Sequence, residues 1–326
     1  MKNPTAENRR RKSWQSTANR RAFDAVNSGP FAKEKIHSGT IAEAQMDGPN
    51  FQDRIERNYE VAVSQDGIAY LWRELSDFLP KYGLHPINEI IGVGTVYFDN
   101  RDYDLTRYTV LNPARRMLVR LRTYETFGES PKPISSYWIE VKASMKGQWR
   151  KKRFRLNRAD LAGFLDGRDV TQNVLEDSEN GVDPEVIRNL YREIQELMLT
   201  MGLKPFFLLT YKRLAFQNDA ERVSLDWDNQ YYSVGTDVYS FDSWKYPVEA
   251  PAGKSNKTIL ELKYPRGTRP AWIADLEKYF QMQETGFLKF VEGMGFLFRG
   301  PLKNHGEADY FLRLIKAYSG EGRPLG

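Results

Sequence analysis

The sequence of 326 residues contains no cysteine and only three histidines, His37, His85 and His305. The absence of cysteine excludes disulfides, thiolate nucleophiles and zinc sites with cysteine ligands. Three scattered histidines are also too few for an imidazole-rich metal site. A bound metal ion would therefore have to be held by carboxylates.

Long hydrophobic runs are missing as well. No apolar stretch approaches the roughly 18 residues that a membrane-spanning helix needs, and the mean hydropathy is -0.62. The chain opens with polar and basic residues instead of the hydrophobic core of a signal peptide. We therefore expect a cytoplasmic protein with one large domain or two ordinary ones.

Positive charge is concentrated near the N-terminus. Residues 1–35 contain nine Lys or Arg against Glu7, Asp24 and Glu34, whereas basic and acidic residues nearly balance over the rest of the chain. Residues 1–52 lack helical or strand periodicity, which predicts a disordered basic tail ahead of a folded domain over 53–326. The tail could bind nucleic acid or acidic lipid, but a solvated extension is the simpler interpretation. If the folded domain binds a polyanion, it must gather its basic residues on one surface.

Helical signals occur at several places in the folded domain. Residues 64–79 form an amphipathic pattern that ends at Pro80, and residues 161–165 follow a possible cap at Asn157. Residues 183–201 predict a longer helix with Pro184 at its start and Gly202 after its end. Residues 270–280 and 309–318 are further helix candidates.

Six predicted strands each carry one ionic face and one largely apolar face. Period-two alternation places the following residues on the ionic faces: Arg120 and Arg122; Glu140 and Lys142; Lys151, Arg153 and Arg155; Tyr211 and Arg213; Arg222, Ser224 and Asp226; Glu261 and Lys263. An antiparallel sheet with one wet face gives the same pattern. A closed barrel with these residues inside and helices outside would be a tunnel for a chain of phosphates, with carboxylates for a divalent cation. The alternation alone leaves both interpretations open.

Nine short segments follow one another in a specific order. They are NYEV at 58–61, TVYFD at 95–99, VRLRTY at 119–124, IEVK at 139–142, KKRF at 151–154, YKRLAFQ at 211–217, RVSLD at 222–226, ILELK at 259–263 and FLKF at 287–290. This series resembles the VTC domain, the polyphosphate polymerase domain of the vacuolar transporter chaperone family, within the triphosphate tunnel metalloenzyme superfamily. The resemblance implies an α+β fold in which an antiparallel β-barrel forms a tunnel with flanking helices and a C-terminal helical extension.

The resemblance also implies an activity and its residues. The activity is transfer of the γ-phosphoryl group of ATP to a growing polyphosphate chain, with release of ADP and dependence on Mn²⁺ or Mg²⁺. Carried over by position, the catalytic phosphate contacts would be Arg120, Arg122, Lys142, Arg213, Arg222 and Lys289. Further substrate contacts would be Lys151, Arg153 and Lys263, and the metal ligands would be Glu261 and Glu60.

These residue types suit that chemistry. The attacking group in chain extension is already an anionic phosphate oxygen, so no histidine or serine needs activation. Catalysis would come from in-line positioning and from neutralising the charge on the transferred group. Arginine forks hold phosphate oxygens in pairs, and lysines add mobile point charges.

Two other functions remain open, one of a different class and one within the same superfamily. Many relatives carry a basic residue at or near positions 58 and 62 and a small polar residue before the lysine of the last segment, where this chain has Asn58, Ala62 and Leu288. These differences favour a noncatalytic polyphosphate-binding accessory subunit. A triphosphate or nucleoside triphosphate hydrolase is the other alternative. Such hydrolases carry Glu-x-Glu-x-Lys in the first strand, a pattern that is broken here by Asn58 and Ala62.

The expected ligands are ATP and polyphosphate. Nucleic acid is not expected, because a duplex would not enter a narrow tunnel and residues 36–326 have no net positive charge. The regulatory SPX domain and membrane helices of some relatives are not recognisable in the sequence. We therefore expect that the polymer would be released into the cytoplasm unless a separate membrane partner captures it.

Overall fold

The computed structural model describes residues 54–61, 67–111, 115–127, 137–145, 148–176, 183–234, 250–280, 282–286 and 288–320. The tail predicted over residues 1–52 lies outside these ranges, as do Ala62 and Phe287. The predicted tail and the predicted domain boundary therefore stay predictions.

The elements alternate long strands with helices. The strands are β1 (Arg54–Val61), β2 (His85–Asp99), β3 (Arg115–Phe127), β4 (Tyr137–Met145), β5 (Gln148–Leu156), β6 (Lys204–Gln217), β7 (Arg222–Ser233), β8 (Gly253–Lys254), β9 (Thr258–Pro265) and β10 (Gln283–Thr285). The helices are α1 (Ile68–Phe78), α2 (Asp104–Leu111), α3 (Arg158–Leu165), α4 (Thr171–Glu176), α5 (Pro184–Met201), α6 (Ala271–Phe280), α7 (Lys289–Arg299) and α8 (Ala308–Gly320).

Five of these helices were predicted from the sequence. For α3 and α5 a capping residue was predicted as well, Asn157 and Gly202. The Asn157 side chain accepts a hydrogen bond from the backbone N–H of Asp160 at the start of α3. At α5, Asp183 is the N-cap, and Gly202 ends the helix in the left-handed conformation at φ 62°. Helices α2, α4 and α7 were not predicted. The last of these matters for function, because Lys289 begins a helix and does not lie on a strand.

The strands form one antiparallel sheet in the order β10-β1-β9-β7-β6-β2-β3-β4-β5, with β8 beside β7. Although β1 and β4 lie far apart in this order, Lys142 Nζ on β4 is 2.6 Å from Glu56 Oε2 on β1. Strand β1 also lies against β5. The sheet is therefore rolled into the tunnel fold that was expected. One detail differs from a closed barrel: within the described ranges, no hydrogen-bonded ladder joins the edge strands β5 and β10.

The outer face of the rolled sheet is apolar and covered by helices. Val119 and Ile139 pack with Phe164 of α3 and Ile194 of α5 in one cluster. A second cluster joins strands β7 and β9 to helices α1 and α6, through residues that include Leu225, Leu262, Leu71, Leu75 and Ile273. The alternation of ionic and apolar residues along the strands therefore reflects an apolar outer face covered by helices and an ionic inner face. It does not reflect an open sheet with one face in bulk water.

Helix α7 packs against the inner face of the sheet and closes part of the tunnel. Its residues Phe290 and Met294 belong to a cluster with Phe207 of β6 and Tyr231 of β7. Helix α8 supports α7 from behind, where the ring of Phe311 stacks on that of Phe298 with a 4.7 Å centroid separation. This packing fixes the start of α7, and therefore Lys289, at the edge of the remaining open space.

The close approach of α7 to the sheet depends on Gly293. A Cβ atom there would lie 2.6 Å from the ring of Phe207 and 2.9 Å from that of Tyr231. We therefore expect Gly293→Ala to lower the free energy of unfolding by about 1–2 kcal/mol, since overpacking outweighs the gain in helix propensity. Urea denaturation measures this change.

Gly295 of the same helix provides the matched control. A Cβ there first meets the terminal Nη2 of Arg299, at 3.3 Å, which is the far end of a flexible side chain. Gly295→Ala should leave stability unchanged or raise it by up to about 1 kcal/mol. Equal effects of the two substitutions would contradict the proposed contact of Gly293 with the sheet.

Candidate functional site

The interior of the rolled sheet contains a cavity that is open to solvent, which we call the tunnel cavity; its empty volume, with the open solvent at its mouth included, is about 1030 Å³. Among the described residues, nine Lys or Arg and three Glu line it. They are Glu56, Arg57, Arg116, Arg120, Arg122, Lys142, Lys151, Arg213, Glu261, Lys263, Glu284 and Lys289. Positive charge thus exceeds negative charge around the cavity, although the folded domain as a whole is nearly neutral. The charges have been gathered on one surface, as polyanion binding would require.

Asp226 organises one wall of the cavity. Its fully buried carboxylate accepts two hydrogen bonds from Arg213, at 2.6 and 2.7 Å, and a third from Lys289 Nζ at 2.7 Å. Burial opposes the charges, but attraction to Asp226 holds the pKa of Arg213 well above its ordinary value and also raises that of Lys289. Both cations therefore stay charged and fixed in orientation at the start of α7.

Glu261 lies in the same wall and faces the cavity. Lys263 Nζ is 2.7 Å from its Oε1, and Arg213 Nη2 is 3.4 Å from the same atom. Burial would raise the pKa of Glu261, but Lys263, Arg213, Lys289 and Lys142 together hold it well below its ordinary value. This carboxylate therefore stays ionised at neutral pH.

The opposite wall is built around Glu140, whose side chain is completely buried on β4. Arg120 Nε donates to its Oε2 at 2.7 Å, and Lys151 and Arg153 each approach its Oε1 to 3.9 Å. The guanidinium of Arg153 also lies over the ring of Trp138, 3.9 Å from the centroid. The register places Glu140 opposite Arg120 on one side and opposite Arg153 on the other.

The first strand contributes Glu56 and Asn58 to the cavity. Glu56 is paired in register with Lys263 and Asn58 with Glu261, so both face the tunnel beside the ionic residues of β9. Glu56 also binds Lys142, as described for the rolling of the sheet. Asn58 therefore stands next to Glu261.

Most of the predicted site residues meet at the cavity. Those that line it are Arg120, Arg122, Lys142, Lys151, Arg213, Glu261, Lys263 and Lys289. Three predicted residues lie elsewhere. The guanidinium of Arg153 lies over the ring of Trp138, and Arg222 is buried at the start of β7, where its Nε donates to Gln217 Oε1 at 3.0 Å. Glu60 is 43% exposed in its side chain and bonds Lys257 at 2.9 Å, so its predicted metal role has no support from its position.

Sequence reasoning missed several residues that shape the site. Asp226 and Glu140 were seen only as members of an ionic face. Each is paired across the sheet with arginine, Asp226 with Arg213 and Glu140 with Arg120 and Arg153. Glu56 was noted only for a broken hydrolase pattern. Arg116 shares the face of Arg120 and Arg122 by simple alternation and could have been found in this way.

The carboxylates of the cavity fit a divalent metal ion in one particular manner. In the described part of the chain, no group of three His, Cys, Asp or Glu side chains could hold an ion by itself. Glu261 and Glu56 lie diagonally on neighbouring strands, and each already binds a lysine. Mg²⁺ is often bound by one or two carboxylates together with substrate phosphates. Glu261 and Glu56 are therefore the cavity carboxylates that could hold an ion which shares its ligands with bound phosphate.

Comparison with protein families decides what kind of domain this is. The model of the VTC domain matches residues 47–298. The chain belongs to the VTC domain family. This membership supports a polyphosphate-related protein of the triphosphate tunnel superfamily and an enzyme class that transfers phosphoryl groups. Helix α8 lies beyond the matched residues.

Three solved structures are distantly similar to this VTC domain. They are a putative adenylate cyclase from Bacillus halodurans (13% identity, 72% of this chain and 95% of that chain, TM-score 0.37), a putative adenylate cyclase from Vibrio parahaemolyticus (11%, 71% and 90%, 0.35) and the PH1012 protein from Pyrococcus horikoshii OT3 (12%, 72% and 96%, 0.34). No curated protein matches the chain. Over the described ranges, none of the helices is both long enough and apolar enough to cross a membrane.

The buried Asp226 cluster makes a prediction about stability. Asp226→Asn leaves Arg213 and Lys289 partly uncompensated, so it should lower the free energy of unfolding by about 3–5 kcal/mol at neutral pH. Interaction with Arg213 and Lys289 lowers the pKa of Asp226 despite its burial. The stability that its charge provides is therefore present above the unfolded pKa and is lost as the pH falls through the folded pKa. The difference between wild type and variant should narrow in acid.

Glu284 supplies the control for that measurement. Its ion pair with Arg57 is 2.7 Å long, but the two side chains are 40% and 32% exposed. Glu284→Gln should therefore change the free energy of unfolding by no more than about 1 kcal/mol. Guanidinium denaturation would confound the ionic effect, so urea is the suitable denaturant. A loss at Asp226 no larger than the loss at Glu284 would refute the organising role of Asp226.

Proposed function

We propose that this protein is a metal-dependent polyphosphate polymerase that transfers the γ-phosphoryl group of ATP to a growing polyphosphate chain and releases ADP. The observation that carries the proposal is the continuous tunnel cavity, in which basic side chains from both walls surround the ionised Glu261. This arrangement matches an elongated polyanion together with a phosphate-bound cation, and the family membership supports the same substrate class.

The basic residues come from several strands of the sheet and from α7. Arg120 and Arg122 on β3 and Lys142 on β4 lie on one side, and Arg213 on β6 and Lys289 on α7 lie on the other. A phosphate chain between them would meet guanidinium forks and ammonium groups along its length. The two walls provide the cations that are needed to bring two polyanions, ATP and the polymer end, together.

Positioning accounts for most of the proposed catalysis. The terminal oxygen of the polymer attacks the γ-phosphorus, the bond from that phosphorus to the bridging oxygen breaks, and ADP leaves with the bond electrons. Asp226 holds Arg213 and Lys289 in place before substrate arrives, so the residues need little reordering in the transition state. A bound divalent ion would supply further neutralisation of phosphate charge, and Glu261 would hold it.

The internal ion pairs prepare the cavity for substrate. Lys263 and Lys142 now bind Glu261 and Glu56, and lysine side chains can turn toward phosphate without moving the backbone. Arg120 and Arg213 are held more rigidly, each by a fully buried carboxylate. The cavity thus combines fixed guanidinium groups with exchangeable ammonium groups.

One observation favours a noncatalytic polyphosphate-binding subunit as the second candidate. Leu288, which lines the cavity, is the N-cap residue of α7 and makes no side-chain cap bond. Its backbone is extended, with φ -125° and ψ 117°, as an N-cap residue requires. The small polar residue of relatives could cap this helix and donate to phosphate, and Leu288 can do neither.

The role of Glu261 can be tested by activity. Glu261→Ala should abolish production of ADP and polymer from ATP and Mn²⁺, because it removes the carboxylate proposed to hold the ion, while the far-ultraviolet circular dichroism stays unchanged. ADP is measured enzymatically and polymer on a gel. Glu284→Ala removes another carboxylate from the cavity lining and serves as the control for loss of one negative charge.

The outcomes of that assay separate the candidates. Polymer and ADP from the wild type, with neither from Glu261→Ala, agree with the proposal. Phosphate or ADP without polymer would replace it with a hydrolase. Wild-type protein that binds polyphosphate but does not turn over ATP would show a binding subunit, and full activity of Glu261→Ala would remove that residue from the mechanism.

Leu288 gives an independent prediction. Leu288→Ser and Leu288→Ala both remove the apolar side chain, but only serine restores the cap. We expect the serine variant to exceed the alanine variant in the free energy of unfolding by about 1 kcal/mol and to synthesise polymer several-fold faster. Thermal unfolding and initial rates measure the two effects. Identical rates and stabilities would show that the hydroxyl at this position has no role.

A further inference from the structure

One side of the tunnel is closed without a backbone ladder. Strand β1 is paired with β9 along its whole length, from Arg54 to Val61. On the opposite side of β1, β10 covers only residues 58–60. Strand β5 also lies against β1, but in the part of the chain that the structure describes no hydrogen-bonded ladder joins these two strands. We call this line of contact between β1 and the β4–β5 pair the seam.

The tunnel cavity reaches the seam from inside. Lys142 and Lys151 line the cavity on the β4–β5 side of the seam, and Glu56 and Glu284 line it on the β1–β10 side. Gly286 follows β10 and lines the cavity as well. Among the described residues, no atom lies within 4 Å of the position that a Cβ atom would take there. The cavity wall at the seam therefore consists of side chains from two separate rims.

The two rims carry opposite charges and attract each other. Lys142 Nζ on β4 is 2.6 Å from Glu56 Oε2 on β1, and their side chains are only 15% and 8% exposed. Lys151 adds a second cation to the rim of β4 and β5. On the rim of β1 and β10, Glu284 is a second carboxylate and binds Arg57 at 2.7 Å. Because a partly buried ion pair is screened less than a surface pair, the contact of Glu56 with Lys142 holds the rims together.

A polyanion at the seam would reverse this attraction. Phosphate oxygens compete with the Glu56 carboxylate for Lys142, since both accept charge-assisted hydrogen bonds. The same phosphates repel the carboxylates of the opposite rim. Elsewhere along the described sheet, neighbouring strands are joined by ladders of backbone hydrogen bonds, which phosphate cannot replace. The seam is therefore the part of the tunnel wall that a phosphate chain can open.

We propose that the pair of Glu56 and Lys142 is a latch, and that a polyphosphate chain enters the tunnel sideways through the seam when phosphate releases this pair. An internal segment of a preformed polymer then binds without being threaded from one end. The inference rests on the proposed function of the cavity. It extends the substrate class to polymers whose two ends are blocked.

End-blocked polyphosphate tests for side entry. Both ends of a long chain are joined to streptavidin, which is too large for the tunnel, and its binding to the full-length protein is compared with that of the same polymer with free ends. We expect the two affinities to agree within about threefold. Tripolyphosphate, which is short enough for the cavity, should displace both polymers.

The outcomes separate side entry from the proposed function. End-blocked polymer that does not bind, or that tripolyphosphate does not displace, would overturn side entry. Binding of the free-end polymer in the same experiment would leave the proposed function standing. Protein that binds neither polymer would overturn the proposed function and side entry together.

Glu56→Gln tests the latch itself. Without this carboxylate the rims attract each other less, so association of the end-blocked polymer should become about five- to tenfold faster. Tripolyphosphate corrects for the general loss of one negative charge, because it is short enough to enter through the mouth of the cavity, and its association should become no more than about twofold faster. Stopped-flow mixing without divalent ions measures both rates and excludes any effect of Glu56 on a bound metal.

Glu193→Gln is the matched control. It breaks a pair with Lys152 that is also 2.6 Å long but lies at the surface, with side chains that are 58% and 53% exposed. This variant should change neither association rate. Equal acceleration of both ligands by Glu56→Gln, or acceleration of neither, would overturn the latch.

Discussion

The burial of many like charges inside one rolled sheet is the constraint on which the rest of the structure depends. Arginine and lysine side chains that face each other across a cavity repel one another unless anions separate them. Asp226 and Glu140 meet this need from within, since each is completely buried and each binds an arginine at 2.6 or 2.7 Å. These two carboxylates compensate the arginines that they bind, and the cavity keeps a net positive charge that suits a polyanion.

Apolar packing determines the positions of these charged side chains. Helices on the outer face allow the sheet to turn its other face inward, and α7 fills part of the interior with aromatic side chains from Phe290 onward. The polar start of α7 is thereby left at the open cavity, where Lys289 meets Asp226 of β7. One cation of the site thus depends on helix packing, whereas Arg120 and Arg213 depend on strand register.

The tunnel was expected only from the family resemblance. Strand alternation was enough to predict which side chains share one face, because period two fixes the face of each side chain once a strand is recognised. It placed Arg120, Arg213 and Glu261 correctly on the inner face. Alternation cannot reveal contacts between strands that are distant in sequence, so the pair of Lys142 with Glu56 was not predictable. Nor does it say where along the tunnel a residue lies. Glu60 shares the inward face of Glu56, yet it pairs with Lys257 outside the cavity lining.

The central claim is that the γ-phosphoryl group of ATP becomes part of a phosphate polymer in the tunnel cavity. The most direct test incubates the purified protein and Mn²⁺ with ATP that is radiolabelled in either the α- or the γ-phosphate. The account predicts that the γ-label enters a long polymer that polyphosphate-specific phosphatase digests, and that the α-label stays in ADP. Release of the γ-label only as orthophosphate, or entry of the α-label into the product, would contradict it.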